Sequence, residues 1–207
     1  MIIKEVCVDN VYDAISAFKK GADRLEICSN LDQDGLTPSN ELLSEVKLRL
    51  PIPVRVMVRP HSKSFVYNND ELNQMKKTIN YCKKMNFDGV VFGCLNKKQE
   101  LDLQKIELLS NIAKPLKVII HKAIDLTNSP LKSLKNLIEI NVVDGILTSG
   151  GAQTAFYGIE ILRKMIYISP PEFEIISAGK ITDQNFSLIH KKINGKFYHG
   201  KKIVGEL

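Results

Sequence analysis

Strand-like and helix-like patterns alternate along the whole chain. The strand-like segments are short and rich in Val and Ile, at 2–8, 24–28, 54–59, 89–93, 116–121, 145–148, 174–178 and 196–199. Amphipathic helical patterns separate them, at 11–20, 39–49, 70–85, 102–112, 130–140, 154–168 and 183–193. Short apolar strands that alternate with helices predict an α/β fold with a parallel sheet. Eight of them favour a closed (β/α)8 TIM barrel, a single domain over 1–207, whose eighth helix is missing or rudimentary.

Polar side chains recur with period two in four of these strands. Alternation with this period places them on one strand face and the apolar residues on the other. The uniformly apolar face must lie under the helices, so we expect the mixed face to point into the barrel. The inward residues predicted in this way are Glu5, Cys7, Glu26, Cys28, Arg55, Met57, Arg59, Ile119 and His121.

This inward polar set suggests a catalytic site, because TIM barrels place their active sites at the C-terminal ends of the strands. Buried carboxylates have shifted pKa values that suit acid–base chemistry, and an Arg can hold an anionic substrate. The candidate catalytic residues are Glu5, Glu26, Arg59, His121 and Asp125. The alternative is a structural ion-pair network in which Glu5 and Glu26 neutralise Arg55 and Arg59. Phe65 and Tyr67 could cover the mouth of the barrel or simply pack on it.

Glycine-rich turns follow the last three strands. Glycine lets backbone amides approach a ligand, and successive amides beside a helix start can bind an anion. We therefore predict an oxyanion or phosphate pocket, with tight turns that merely leave the strands as the alternative. The candidate anion-binding residues are Ser149, Gly150, Gly151, Gly179 and Gly200.

Composition and charge narrow the function classes. The net charge of +6 comes largely from lysine pairs on helical segments, which is typical of a solvated face, so we expect no nucleic-acid partner. No apolar run approaches the roughly 18 residues of a membrane span, and no signal peptide is visible, so we expect no membrane partner and a cytoplasmic location. The four cysteines show no CxxC spacing, which favours reduced thiols over disulfides or a structural zinc site.

Several motifs, in order along nearly the whole chain, resemble the CutC copper homeostasis family. They read EVCVD, GADRLEICS, GLTPS, VMVRP followed by FVY, DGVVFG, IHKAID, ILTSGGA and a final HG. The resemblance implies a TIM barrel, copper handling in the cytoplasm, and a homodimer or higher homo-oligomer. It also implies that Cys7 and Cys28 bind Cu(I). Met57 could be a third soft ligand, with a core methionine as the favoured alternative.

The chain departs from the family's pattern at three lysines near the predicted anion pocket, which could alter the pocket or compensate it electrostatically. Lys122 stands where the family has Arg, Lys180 lies in the glycine-rich turn after the seventh strand, and Lys201 stands where Ser is usual. Three hypotheses therefore remain open. The first is a copper homeostasis protein, and the second is a TIM-barrel enzyme of lyase or isomerase type acting on a small phosphorylated or carboxylated metabolite. The third is a scaffold whose polar interior is only structural.

Overall fold

Eight parallel strands close into a barrel in chain order in the computed structural model, which describes residues 1–207. The strands are β1 (Ile3–Val8), β2 (Arg24–Ile27), β3 (Val54–Met57), β4 (Gly89–Phe92), β5 (Lys117–Ile120), β6 (Gly145–Thr148), β7 (Glu174–Ser177) and β8 (Phe197–His199). The helices are α1 (Val11–Lys19), α2 (Asn40–Arg49), α3 (Asn69–Lys84), α4 (Leu103–Ala113), α5 (Pro130–Ile140), α6 (Ile159–Ile168) and α7 (Asp183–Ile193). The predicted (β/α)8 barrel is confirmed. No helix follows β8, and no helix combines the length and apolar character that a membrane crossing requires.

Most helices begin at a polar residue whose side chain caps the first turn. The Asn10 side chain accepts the amide of Asp13 at 2.8 Å, and Asn68 forms a reciprocal capping box with Glu71. Such caps satisfy backbone amides that have no partner inside the helix. They orient each helix as it leaves the mouth of the barrel.

Two predicted boundaries are wrong at the C-terminal ends of strands. Helix α6 begins at Ile159 rather than at 154, because the amide of Ala155 is bonded to the carbonyl of Gly179 instead of to a helical partner. Strand β3 ends at Met57, because the backbone of Arg59 is bonded to Thr37 in the loop after β2. Both loops are therefore tied to the neighbouring strand end.

Strand register divides the core into two parts. The apolar faces of the strands pack under the helices in a cluster of 44 buried residues. Inside the barrel lies a second cluster of seven, Cys28, Met57, Val91, Ile119, Leu147, Ile176 and Ala178. The register pairs Cys7 with Glu26 and Glu5 with both Arg24 and His199, so polar side chains concentrate around β8, β1, β2 and β3. The polar side of the interior is thus the part around β8 to β3, although Cys28 and Met57 of the apolar cluster also lie there.

Candidate functional site

An ion-pair network fills the polar side of the barrel near the N-terminal ends of β2, β3 and β7. Both terminal nitrogens of Arg55 lie 2.9 Å from the carboxylate oxygens of Glu174, and Nε lies 3.2 Å from Asp88. Arg24 pairs with Glu174 at 3.1 Å and with Glu5. This bidentate, buried arrangement satisfies charges that would otherwise be costly inside the protein. The network therefore accounts for the burial of Arg24 and Arg55, whose role is structural.

The predicted ion-pair network is therefore present with different members. Glu5 belongs to it, at 3.7 Å from Arg55, but Glu26 and Arg59 make no ion pair. Burial alone would raise the pKa of Glu5, yet the charge of Arg24 and the hydrogen bond with His199 hold it well below its usual range. Glu5 is therefore an ionised member of the structural network. The network does not account for the burial of Glu26.

Glu26 and His199 meet above this network. One ligand atom each from Glu5, Glu26 and His199 lie within 4.8 Å of one another. The Oε2 atom of Glu26 is buried and has no hydrogen-bond partner. Burial raises the pKa of Glu26 to about 7, although the charge of His199 acts in the opposite direction. A buried carboxyl group without a partner is costly, so this group is a candidate for a ligand or a proton.

Sequence reasoning did not select His199 for the site. Its Nδ1 lies 2.8 Å from Oε1 of Glu5, which fixes the ring beside β1. Burial alone would lower the pKa of the ring, but the neighbouring Cys7 thiol and the two carboxylates raise it well above the usual value. The alternation in β8, with Tyr198 facing the helices, was the signal that could have identified this inward residue.

Two cysteines lie at the C-terminal ends of β1 and β2. Cys7 is half-buried, whereas Cys28 is fully buried and its thiol lies 3.5 Å from the carbonyl of Val8. Burial, and then the charge of Glu26, raises the pKa of the Cys28 thiol far above its usual range. The structure thus brings both predicted metal ligands to the same part of the mouth, with Cys28 protonated.

Met57 lies in the same interior cluster as Cys28, and Gly35 in the loop after β2 lies against both. Cys7, Cys28 and Met57 together are called the sulfur group. Gly35 has φ of +80°, and a Cβ placed on it would lie 3.4 Å from the sulfur of Cys28 and 3.7 Å from the terminal methyl of Met57. Any side chain here would be strained and would crowd both. Gly35 therefore keeps the loop close to the two sulfur-containing side chains.

Arg59 holds the same loop. Its Nη1 donates to the carbonyls of Gln33, Asp34 and Gly35 at 3.0, 3.1 and 3.1 Å. The guanidinium lies 4.7 Å from the ring centre of Phe65, and its Nε is buried without a partner. Most of its hydrogen-bonding capacity thus serves loop structure, and only Nε is free for the anion-holding role predicted for Arg59.

His121 lies on the far side of Phe65, with ring centres 4.7 Å apart. Its Nδ1 accepts the amide of Ala123 at 3.2 Å, and its Nε2 is buried without a partner. Burial, followed by the charge of Arg59, lowers the pKa of His121 to about 3. The ring is therefore neutral, with Nδ1 as the acceptor and Nε2–H as an unpaired donor.

Asp125 occupies the amide turn predicted to bind an anion. Its carboxylate accepts the amide of Ser149 at 2.9 Å and the amide of Gly151 at 2.8 Å, together with the hydroxyl of Thr148. Lys122 forms an ion pair with the same carboxylate at 2.5 Å. The anion in this turn is thus an internal side chain, which is held as an exogenous carboxylate would be.

The other predicted glycines also take part in backbone contacts. The amide of Gly150 donates to the Thr148 hydroxyl at 2.9 Å, and the amide of Gly200 donates to the carbonyl of Glu5 at 3.1 Å. The carbonyl of Gly179 accepts the amide of Ala155 at 2.9 Å. The first contact lies within the turn after β6, the second ties the end of β8 to β1, and the third ties the end of β7 to the loop after β6, which matches the tight-turn alternative.

Comparison with known proteins identifies the family. The family model described as "CutC family" matches residues 2–204. The chain belongs to the CutC family. Over 197 residues it is 35% identical to the human copper homeostasis protein cutC homolog, covering 95% of this chain and 72% of the human protein. A CutC family protein of Aliivibrio fischeri is 36% identical over 197 residues, covering 94% of this chain and 79% of that protein.

A solved CutC structure shares the fold. The crystal structure of a CutC protein from Streptococcus agalactiae superposes with a TM-score of 0.91 at 29% identity, covering 98% of this chain and 100% of that chain. Together with the family match, this confirms both the resemblance to CutC proteins and the TIM barrel. The human relative of this CutC family member is named a copper homeostasis protein.

The sulfur group of this CutC family member fits a soft metal ion. Thiolate and thioether sulfur are the ligands that Cu(I) prefers, and Cys7, Cys28 and Met57 supply both at one end of the barrel. The other two cysteines, Cys82 and Cys94, belong to the outer core under the helices. They are packing residues, with pKa values raised to about 12 by burial.

Proposed function

We propose that this CutC family protein binds Cu(I) at the barrel mouth through the thiolates of Cys7 and Cys28 and takes part in copper homeostasis. The observation that carries the proposal is the placement of these two thiols on neighbouring strands, beside a methionine. Cu(I) is the cargo of the site. The half-buried Cys7 offers the accessible sulfur at which the ion enters, and the buried Cys28 completes the pair.

Strand pairing supports a shared metal ion. Cys7 pairs with Glu26, so Cys28 lies two residues further along the neighbouring strand and on the same inward face. Diagonal neighbours of this kind lie within reach of one another across adjacent strands. The charge of Cys7 is among the causes that raise the pKa of the Cys28 thiol, which supports their proximity.

The proposal favours copper over an anionic metabolite because of the turn after β6. The amides of Ser149 and Gly151, which a phosphate would need, are bonded to Asp125. Lys122 neutralises that carboxylate, so the turn carries no unpaired positive charge. The sulfur group has no comparable internal occupant.

Proton competition gives the site a defined pH dependence. The raised pKa of Cys28 means that the thiol is neutral in the metal-free protein near pH 7, so Cu(I) must displace its proton. We expect the apparent Cu(I) affinity to rise with pH, by about tenfold per pH unit for each displaced proton. An affinity that is flat between pH 6 and pH 8 would contradict binding by Cys28.

A competition titration with a chromophoric Cu(I) chelator tests the proposal under reducing conditions. We expect Cys7→Ser and Cys28→Ser each to weaken binding, and the double variant to abolish it. Cys82→Ser is the matched control, because this thiol lies in the outer core, and it should bind as the parent does. Unchanged Cu(I) affinity in the double variant would rule the thiol site out.

We also propose that this protein is cytoplasmic and that it associates with itself. All four cysteines are free, and thiols stay reduced in the cytoplasm. The family resemblance supports a homodimer or higher homo-oligomer, and light scattering on the purified protein measures its mass directly.

A further inference from the structure

Glu26 is the one inward carboxylate that the ion-pair network does not use. The residue is 3% exposed, and its Oε2 has neither a hydrogen bond nor an ion pair. The two buried guanidiniums beside it are committed to Glu5, Glu174 and Asp88. Burying an unpartnered acceptor is costly, so packing alone gives no reason for a carboxyl group here.

His199 is held as a ligand histidine is usually held. Its Nδ1 lies 2.8 Å from the Glu5 carboxylate, which fixes the ring, and the Cys7 side chain is a second hydrogen-bonding neighbour. Metal-binding histidines commonly have a carboxylate on the other ring nitrogen, which fixes ring orientation. Glu5 is itself fixed by Arg24 and Arg55, so the orientation of the ring is rigidly defined.

The ligand atoms of this group converge. Those of Glu5, Glu26 and His199 lie within 4.8 Å of one another, a separation that one ion with bonds of about 2 Å can bridge after a small adjustment. Carboxylate oxygen and imidazole nitrogen suit borderline divalent ions such as Zn²⁺, whereas Cu(I) prefers sulfur. The chemistry of this group therefore differs from that of the thiol pair nearer the mouth.

We propose that Glu26 and the imidazole of His199 bind a divalent transition-metal cation of the Zn²⁺ class inside the barrel, with Glu5 as the positioning residue for His199. This site goes beyond the Cu(I) site and does not depend on it. Two protein ligands leave coordination positions open toward the mouth of the barrel, where water or an oxygen atom of a small molecule can bind.

A Zn²⁺ competition titration on the metal-free, reduced protein tests the site. We expect Glu26→Gln and His199→Gln each to weaken Zn²⁺ binding by more than about 100-fold, since loss of outer-shell partners alone costs about 10–100-fold. Glu107→Gln, an exposed position on α4, is the matched control and should bind as the parent does. Glu26→Gln removes no hydrogen bond of the fold, so its result stands even if His199→Gln fails to fold.

The Cys7→Ser, Cys28→Ser double variant separates this site from the copper site. We expect it to keep Zn²⁺ affinity within about tenfold of the parent while it loses Cu(I), since the donor sets differ and Cys7 is only a hydrogen-bonding neighbour of His199. In the parent protein, the absorption of bound Co²⁺, used as a probe ion, should lack a thiolate charge-transfer band. Zn²⁺ affinity that survives Glu26→Gln, or that disappears with the two thiols, overturns the proposal and leaves the Cu(I) result untouched.

Discussion

Replacing Glu26 by Gln should stabilise the metal-free protein at alkaline pH and have almost no effect at acid pH. Burial raises the pKa of Glu26 from 4.5 to about 7, so the folded protein prefers the neutral acid. Stability from this group is therefore fully present below pH 4.5 and is lost as the pH rises through 7. Gln imitates the neutral acid at every pH and removes this dependence.

The size of the effect follows from the two pKa values. A difference of about 2.5 between the folded and unfolded states corresponds to about 3 kcal/mol of unfolding free energy at pH 8. This is an upper limit, because the Glu26 charge also supports the protonated ring of His199. At pH 4.5 the same linkage leaves a difference close to zero.

Urea unfolding followed by circular dichroism, in the presence of a chelator, measures these free energies at both pH values. Glu174→Gln is the informative control, since it is the same substitution within the ion-pair network. It should destabilise the protein by about 3–5 kcal/mol at both pH values, because it removes one of the two carboxylates, Glu174 and Glu5, that Arg24 and Arg55 share. If Glu26→Gln also destabilises the protein at pH 8, Glu26 is a structural residue and the reasoning above is refuted.

Two further substitutions test the neighbouring loops. Asp125→Ala should lower the free energy of unfolding by about 3 kcal/mol and leave the amides of Ser149 and Gly151 without their acceptor. Sulfate should then raise the melting temperature of the variant more than that of the parent. Equal sulfate effects in both would contradict this account of the turn. Gly93→Ala should cost about 1–3 kcal/mol, because the new Cβ would lie 2.8 Å from the ring of His121. A thermal-unfolding cycle should show that this cost falls when His121 is also replaced by Ala, and purely additive effects would refute the contact.

The sequence by itself determined the architecture and the inward side chains. Short strands of Val and Ile between amphipathic helices indicate a parallel barrel, because each strand must bury both faces. Period-two alternation then predicts which way each side chain points, and it assigns Glu5, Cys7, Glu26 and Cys28 to one interior surface. These features depend on local backbone geometry, which the hydrophobic and polar pattern of the sequence predicts.

Only the tertiary structure decided which of these groups are partners. Arg24 and Arg55 share Glu174, more than a hundred residues away, because barrel closure brings β7 to the same interior. Asp125 occupies its own chain's amide turn, because a short 3-10 helix at Lys122–Leu126 folds against the end of β6. Electrostatic pairing depends on distances of a few ångströms and on burial, and both arise only when the strands have closed. The pattern along the chain therefore identifies the charged residues, while closure of the barrel decides that Glu26 lies beside His199 and outside the ion-pair network.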